Sequence, residues 1–383
     1  MNQPHAALRL VPAADRRALT EFIRLPVRLY AAAPGYAAPL ELERRDTLTP
    51  GKNPYFEHAE AKLWLAYRGD RAVGRISAQI DRLYLERYRD DTGHFGFIDA
   101  VDDPAVFALL TRTAEDWLRA RGMRRAVGPL SFSTNEESGL MVEGFAARPM
   151  LLMGYHPPYA GPRLAEQGYA KVKDLIAYDY DIVNAPPFRS RKVMERATAG
   201  GGFTIRPLDM RRYAEDINAA LDIYVDAWSD NWGFVPPTQA QTEHTVRALK
   251  PLVRPEMVHI AEIGGAPAGM IVCLPNLAEA VAGLGGRLMP FGWAKLLWRL
   301  KVRGVKTCRV LLYGVRKQYQ GSGLGSAIAL TLLQELRTNA LKSGFREAEL
   351  SWILEDNLPM RRINEGIGGK GYKLYRVYYK ALA

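Results

Sequence analysis

The chain has 383 residues, 48% hydrophobic and 24% charged, with 52 Lys and Arg against 41 Asp and Glu, a formal net charge of +11. That length predicts two domains and the composition excludes disordered and fibrous classes, while the charge calls for an anionic partner: nucleic acid, anionic lipid or a phosphorylated cofactor. Two cysteines in apolar runs, Cys273 and Cys308, are expected as buried free thiols, and His5, His58, His94, His156, His244 and His259 lack metal-ligand spacing, so no metal is expected.

The N-terminus MNQPHAALRL has no apolar signal core, and no run approaches the roughly 20 apolar residues of a spanning helix, so a cytoplasmic protein is expected. The pattern predicts a strand at Leu8 to Pro12, a helix around Leu19 to Tyr30, and a hairpin of Ala61 to Tyr67 with Ala72 to Asp81. A strand at Gly93 to Val101 follows, then a helix entered at Asp103-Pro104, on which Phe107, Leu110, Ala114, Trp117 and Leu118 recur at helical spacing. Met123 to Phe132 and Lys171 to Asp181 read as strands. Turn chemistry at Asn184-Ala-Pro-Pro187 and Gly200-Gly-Gly202 predicts a linker over 184–202 between domains at 1–183 and 203–383.

The second half predicts a strand at Phe203 to Leu208, helices at Tyr213 to Trp228 and Thr238 to Leu252, and a hairpin of Met257 to Ile263 with Ala268 to Leu274. It continues with a strand at Arg309 to Val315, a helix at Leu324 to Lys342, a strand at Glu347 to Leu354, a short helix from Pro359 and a last strand at Lys373 to Lys380. Both halves share this order, and Ser131-Phe-Ser-Thr-Asn-Glu-Glu137 lies over Ser351-Trp-Ile-Leu-Glu-Asp-Asn357, so a duplication is expected.

Chemistry concentrates where the strand Arg309 to Val315 enters Gln320-Gly-Ser-Gly-Leu-Gly-Ser326 and then a helix. Glycines let backbone N–H groups face one point, and the helix start adds partial positive charge; together they suit a diphosphate. Such loops also cap helices without binding anything. No Lys-Ser/Thr follows the glycines, which excludes a Walker loop, and no acidic residue sits where a Rossmann site needs one.

The loop resembles the Q/R-x-x-G-x-G/A signature of GNAT N-acyltransferases, and Asn357, after the next strand, matches the asparagine that family places by the pantetheine arm. The resemblance implies an α/β fold of two tandem GNAT-like domains, each a central mixed β-sheet flanked by helices. It implies acyl-CoA as co-substrate with no prosthetic group, held by Val315, Gln320, Gly321, Ser322, Gly323, Leu324, Gly325, Ser326 and Asn357. It also implies an acyl-carrying cleft between splayed strands, with backbone donors near Tyr313 to Val315 polarising the thioester. The first half has Ala100-Val-Asp-Asp-Pro-Ala105 in place of the loop, and its carboxylates would repel a diphosphate, so that domain is expected to have lost the cofactor. Candidates for the base are Glu355, then Glu349 and His259. The family often has a tyrosine seven residues after the asparagine; here that place is Asn364. Either Tyr313, Tyr372 or Tyr375 substitutes as the acid, or the thiolate leaves without one.

An insertion over 275–308 precedes the loop strand. Trp293, Leu296, Leu297 and Leu300 fall on one helical face, and Lys295, Arg299 and Arg303 on another. That pattern suits a helix lying in an anionic membrane interface, or an ordinary helix packed on its domain. The aromatics do not alternate with cations along a groove, so nucleic acid is not expected. The insertion's Phe-Gly-Trp-x-Lys-Leu-Leu-Trp298, with Asn231-Trp-Gly-Phe-Val-Pro236 and Glu349 to Asn357, resembles large bacterial GNAT proteins similar to bacterial ceramide synthases. The resemblance implies long-chain acyl transfer to a sphingoid or related lipid amine by a cytoplasmic enzyme peripheral on the inner membrane. Asn231, Trp232, Trp293, Leu297 and Trp298 would then meet lipid, and Asn135, Glu136 and Tyr155-His-Pro-Pro-Tyr159 could supply acceptor-binding surface. The alternatives are a soluble acetyltransferase of small or peptidyl amines, an aminoacyl-tRNA-dependent variant that an intact coenzyme A loop disfavours, and a non-enzymatic acyl-CoA sensor.

Overall fold

The computed structural model describes residues 7–186 and 202–383. The N-terminal part runs β1 (Leu8–Pro12), α1 (Arg16–Tyr30), α2 (Glu41–Thr47), β2 (Ala59–Arg68), β3 (Arg71–Asp81), α3 (Arg82–Tyr88), β4 (Thr92–Ala100), α4 (Pro104–Arg119), β5 (Arg125–Gly128), β6 (Leu130–Ser131), β7 (Glu137–Ser138), β8 (Leu140–Glu143), α5 (Ala160–Glu166) and β9 (Ala170–Asp181). The C-terminal part runs β10 (Thr204–Pro207), α6 (Tyr213–Trp228), α7 (Gln239–Leu249), β11 (Val258–Ile263), β12 (Ala266–Pro275), α8 (Leu277–Val281), α9 (Gly292–Trp298), β13 (Thr307–Val315), α10 (Gly323–Lys342), β14 (Glu347–Leu354), α11 (Leu358–Gly366) and β15 (Lys370–Ala381).

Local chemistry places the helix starts. Asp15 accepts the Ala18 N–H (2.8 Å) at α1, and Asp103 accepts the Ala105 N–H (2.9 Å) ahead of Pro104 at α4. Thr238 and Gln241 close a reciprocal capping box at α7. The expected strand Met123 to Phe132 is broken into β5 and β6, because Pro129 between them has no N–H for a ladder.

The first compact unit comprises residues 1–176, 278–297 and 372–383. Its sheet runs β1-β2-β3-β4-β5, antiparallel except for the parallel β4–β5 pair, and the C-terminal part of β15 adds to β5 and β8. The α4 residues Phe107, Leu110, Ala114 and Leu118 join Trp64, Ile76 and Phe95 in one core; Phe22 and Leu25 of α1 join Tyr55, Phe97 and Phe132 in another.

The second unit comprises residues 177–277 and 298–371. Its sheet runs β10-β11-β12-β13-β14, antiparallel except for the parallel β13–β14 pair. The helix α6 packs on one face, where Ala227 lies beside Gly314, and α10 on the other, where Ile328 lies beside Gly269. Cys273 and Cys308 are buried free thiols.

The units do not divide as the expected boundaries did. The last strand leaves the C-terminal half because Tyr378↔Gly128 and Tyr379↔Val127 pairing extends the first unit's sheet. The segment 278–297 also belongs to the first unit, where the Glu41 N–H donates to the Gly286 carbonyl (2.8 Å). Of the expected linker, 187–201 lie outside the described residues, as does His5.

Candidate active site

The strands β13 and β14 pair only from Thr307↔Glu347 to Val310↔Leu350, although β13 continues to Val315 and β14 to Leu354. The cause lies on the other edge of β13. Its register against β12 shifts between Val272 and Cys273, leaving Leu311 as an extra residue. A bulge bends its strand and increases twist, so β13 turns away from β14. The wedge between them is a cleft of roughly 560 Å³, counted out to its open mouth. Val310, Leu311 and Tyr313 form one wall and Leu350 to Leu354 the other, with Trp228, Asn231, Leu333, Asn357, Met360 and Asn364 closing it. The Trp228 and Trp352 rings lie 6.1 Å apart. The lining is mainly apolar, and its only ionisable side chain is Tyr313.

At the end of β13 the chain enters the glycine loop, whose approach is anchored by α6 and the turn that follows it. Arg316 pairs with Asp222, Lys317 with Asp230, and the Lys317 N–H donates to Asp226 Oδ2 (2.8 Å). Gln320 Nε2 donates to the Val315 carbonyl (2.8 Å), closing the loop on the strand. Gly321 has φ +72°, a left-handed conformation that suits glycine. Ser322 caps α10, its Oγ accepting the Gly325 N–H (3.0 Å). A Cβ on Gly325 would stand 2.1 Å from the Tyr319 carbonyl oxygen, whereas one on Gly323 would meet nothing within 4 Å. Gln320 to Gly323 and Ser326 are exposed, Leu324 is half-buried and Gly325 buried. The Gly323 and Leu324 N–H groups, in the first turn, have no carbonyl partner among the described residues. An open helix start with unpaired donors is an anion site.

The sequence model of the Acetyltransferase (GNAT) family matches residues 217–363. The chain is also 50% identical over 379 residues to the bacterial ceramide synthase of Caulobacter vibrioides (strain NA1000 / CB15N), covering 99% of this chain and 98% of that protein. The chain belongs to the GNAT family of N-acyltransferases. It is 43% identical to Protein YghO of Escherichia coli (strain K12) over 371 residues, 96% of this chain and 94% of that one. Its fold is similar to a tandem GNAT protein from the clavulanic acid biosynthesis pathway, with a TM-score of 0.58 at 13% identity, covering 98% of this chain and 99% of that one. The architecture is thus tandem GNAT, and acyl-CoA is the co-substrate that this fold uses.

Within this GNAT acyltransferase, Tyr313, Asn357 and Asn231 line the cleft. Asn357 also caps α11, its Oδ1 accepting the Met360 N–H (3.2 Å). Glu355, Glu349, His259 and Trp232 are not among the lining residues. Glu349 is fully buried, 3.8 Å from Arg309; Arg309 Nε donates to Ser351 Oγ (2.9 Å), and that hydroxyl donates to Glu349. His259 lies buried in β11, its Nε2 3.0 Å from Asn339 Nδ2, and burial pushes its pKa down to about 4. The Glu355 carbonyl accepts from Arg361 Nη1 (2.8 Å). Met360, which fits the short apolar helix the GNAT resemblance implies after Asn357, lines the cleft, as do Trp228, Ser351 and Trp352, which the sequence did not mark as site residues; the aromatic after Ser351 was the available signal.

The first unit contains a comparable pair of parallel strands. Its β4 and β5 also pair in parallel only briefly, from Thr92↔Arg125 to His94↔Val127. Beyond that point Gln79 Nε2 donates to the Leu130 carbonyl (2.7 Å), and Phe132 stacks on Tyr55 with centroids 4.9 Å apart. Both peptide bonds that the repeat aligns, Ser131–Phe132 and Ser351–Trp352, are cis. At the start of α4, Asp103 pairs with Arg68 (2.7 Å) while capping the helix through the Ala105 N–H. Of the expected acceptor surface, Glu136 accepts the Phe132 N–H (3.2 Å) and Tyr155 packs edge-on against Tyr30 and Tyr36.

Proposed function

We propose that this enzyme transfers a long-chain acyl group from acyl-CoA to the amine of a sphingoid base or related lipid amine, at an anionic membrane face on the cytoplasmic side. One observation carries the reading: the 50% identity to a bacterial ceramide synthase extends over 99% of the chain, glycine loop, cleft and insertion included. In this scheme the amides of Gln320 to Ser326 hold the diphosphate. Val315 and Asn357 flank the pantetheine arm, and the thioester lies between β13 and β14. The mainly apolar walls suit a fatty acyl chain. Glu355, two residues before Asn357, takes the amine's proton through water; Glu349 is committed to Arg309 and Ser351.

The insertion supports the membrane part. Met289 and Phe291 are 76% and 78% exposed, and Trp293, Leu297, Trp298 and Val302 are exposed as well. Four of these six lie on α9 and the wide π-type turn Arg299–Arg303 that continues it. No Asp or Glu occurs between Glu279 and Glu335, while Arg287, Lys295, Arg299, Lys301, Arg303 and Lys306 do. Exposed apolar side chains in a stretch that carries cations and no carboxylate of its own fit an anionic bilayer interface. Among the described residues, no helix is long and apolar enough to cross a membrane.

Purified protein with palmitoyl-CoA and sphinganine on phosphatidylglycerol vesicles is expected to yield the amide. Faster turnover of acetyl-CoA with soluble amines would overturn the lipid assignment. Reversing two insertion charges, Lys295→Glu with Arg303→Glu, is expected to weaken vesicle co-sedimentation at least roughly 30-fold. Each basic residue near an anionic surface contributes about 1 kcal/mol, and 1.4 kcal/mol is a decade. Palmitoyl-CoA affinity in detergent solution should not move.

A further inference from the structure

The cleft walls hold two buried hydrogen-bond donors with nothing to donate to. Tyr313 is 8% exposed and Asn364 is 2% exposed, and neither the Tyr313 hydroxyl nor Asn364 Nδ2 has a partner. They reach the cleft from different elements, β13 beyond its bulge and α11. No other cleft-lining side chain has a buried polar atom of this kind. Native proteins pair nearly all such groups, because an unpaired buried donor destabilises the fold. Two such donors lining one cleft offer hydrogen bonds to a ligand that enters it.

We infer that the Tyr313 hydroxyl and the Asn364 amide form a two-donor site for the thioester oxygen, and take the negative charge that develops on it. The inference rests on acyl-CoA lying in the cleft and on nothing about the acceptor. The neutral amine nitrogen attacks the thioester carbon, a C–N bond forms, and the carbonyl electron pair moves onto the oxygen facing the two donors. As that pair returns, the C–S bond breaks and the thiolate leaves with its electrons. The proton lost by nitrogen passes through water, and a proton from solvent completes the thiol.

This role differs from proton donation to sulfur. An asparagine amide has no proton to give at this pH. Burial raises the Tyr313 phenol well above its ordinary value near 10, while thiols titrate near ~8.5, so transfer from phenol to thiolate runs uphill. Hydrogen bonding to a developing oxyanion needs no transfer, and a dry, preformed site strengthens it. The chain's asparagine at 364, where the GNAT pattern often has tyrosine, then serves as an amide donor to oxygen.

Tyr313→Phe and Asn364→Leu test this. With palmitoyl-CoA labelled at the carbonyl with carbon-13 and no amine present, the bound wild type is expected to shift the carbonyl infrared band to lower frequency. Each variant should bind palmitoyl-CoA with nearly unchanged affinity by calorimetry and move the band back. With sphinganine added, each should lower kcat by about 100-fold with little change in KM. Tyr313→Phe should melt higher than the wild type without ligand, since it removes an unpaired buried hydroxyl; a purely structural tyrosine would give the reverse. An unshifted band in the wild type, or full kcat in both variants, overturns the inference. A shifted band without acylation of sphinganine supports it and overturns the lipid-amine assignment instead. Failure of the wild type to bind palmitoyl-CoA overturns both.

Discussion

Gly323→Glu is expected to weaken coenzyme A binding by roughly 100-fold or more while leaving the protein folded. A side chain at 323 meets no atom within 4 Å, and the residue is exposed, so the backbone has no reason to move. The new carboxylate would sit in the first turn of α10, between the unpaired N–H groups and an incoming diphosphate. Two like charges 4 Å apart repel by about 1 kcal/mol in water and about 4 kcal/mol at an effective dielectric of 20. Facing a doubly charged group at an exposed site, roughly 3 kcal/mol is a fair middle value, which is about two decades. Gly323→Ala should bind almost normally, so the loss would be electrostatic. Gly325→Ala should also lose binding, but for a steric reason: its Cβ would collide with the Tyr319 carbonyl and push the loop out of shape. Calorimetric titration with coenzyme A, beside thermal melts of all three variants, separates these causes. Normal affinity in Gly323→Glu would mean the diphosphate sits elsewhere.

What could be read in advance follows from how local its cause is. The strand, glycine loop and helix from Thr307 to Lys342 announce themselves through contiguous residues: a β-rich run, clustered glycines and a capping serine. The helices α2 and α3, seven residues each, are too short to display a helical repeat of apolar positions in the sequence. The bulge that opens the cleft depends on how Val272 and Cys273 meet β13, a register that no single strand encodes. The last strand read correctly as a strand, but its membership in the first unit depends on pairing with β5, some 250 residues earlier. The site divides in the same way. Loop residues are sequence neighbours, whereas the pairing of Tyr313 with Asn364 as unsatisfied donors appears only when burial and partners are known. Glu349 looked free to act as a base because Arg309, which holds it, lies 40 residues away across the sheet.

That buried pair gives the largest stability effect to expect. Glu349 and Arg309 side chains are 0% and 4% exposed, and Ser351 bridges them by accepting from one and donating to the other. Removing one partner leaves the other charged and desolvated, a change that costs about 3–5 kcal/mol. Glu349→Leu should therefore lower the urea midpoint sharply at unchanged m, and Glu349→Leu with Arg309→Met should recover much of the loss, since apolar replacement of both ions restores packing without a stranded charge. The milder Glu349→Gln keeps an acceptor for Ser351 and nearly the same volume. It should weaken the fold less than leucine does, and its folded fraction should keep most of its kcat. If Glu349 were the base, the glutamine variant would instead lose nearly all turnover at near-normal stability. The two accounts thus predict opposite orderings of stability and activity for a single substitution, and a denaturation curve beside a progress curve distinguishes them.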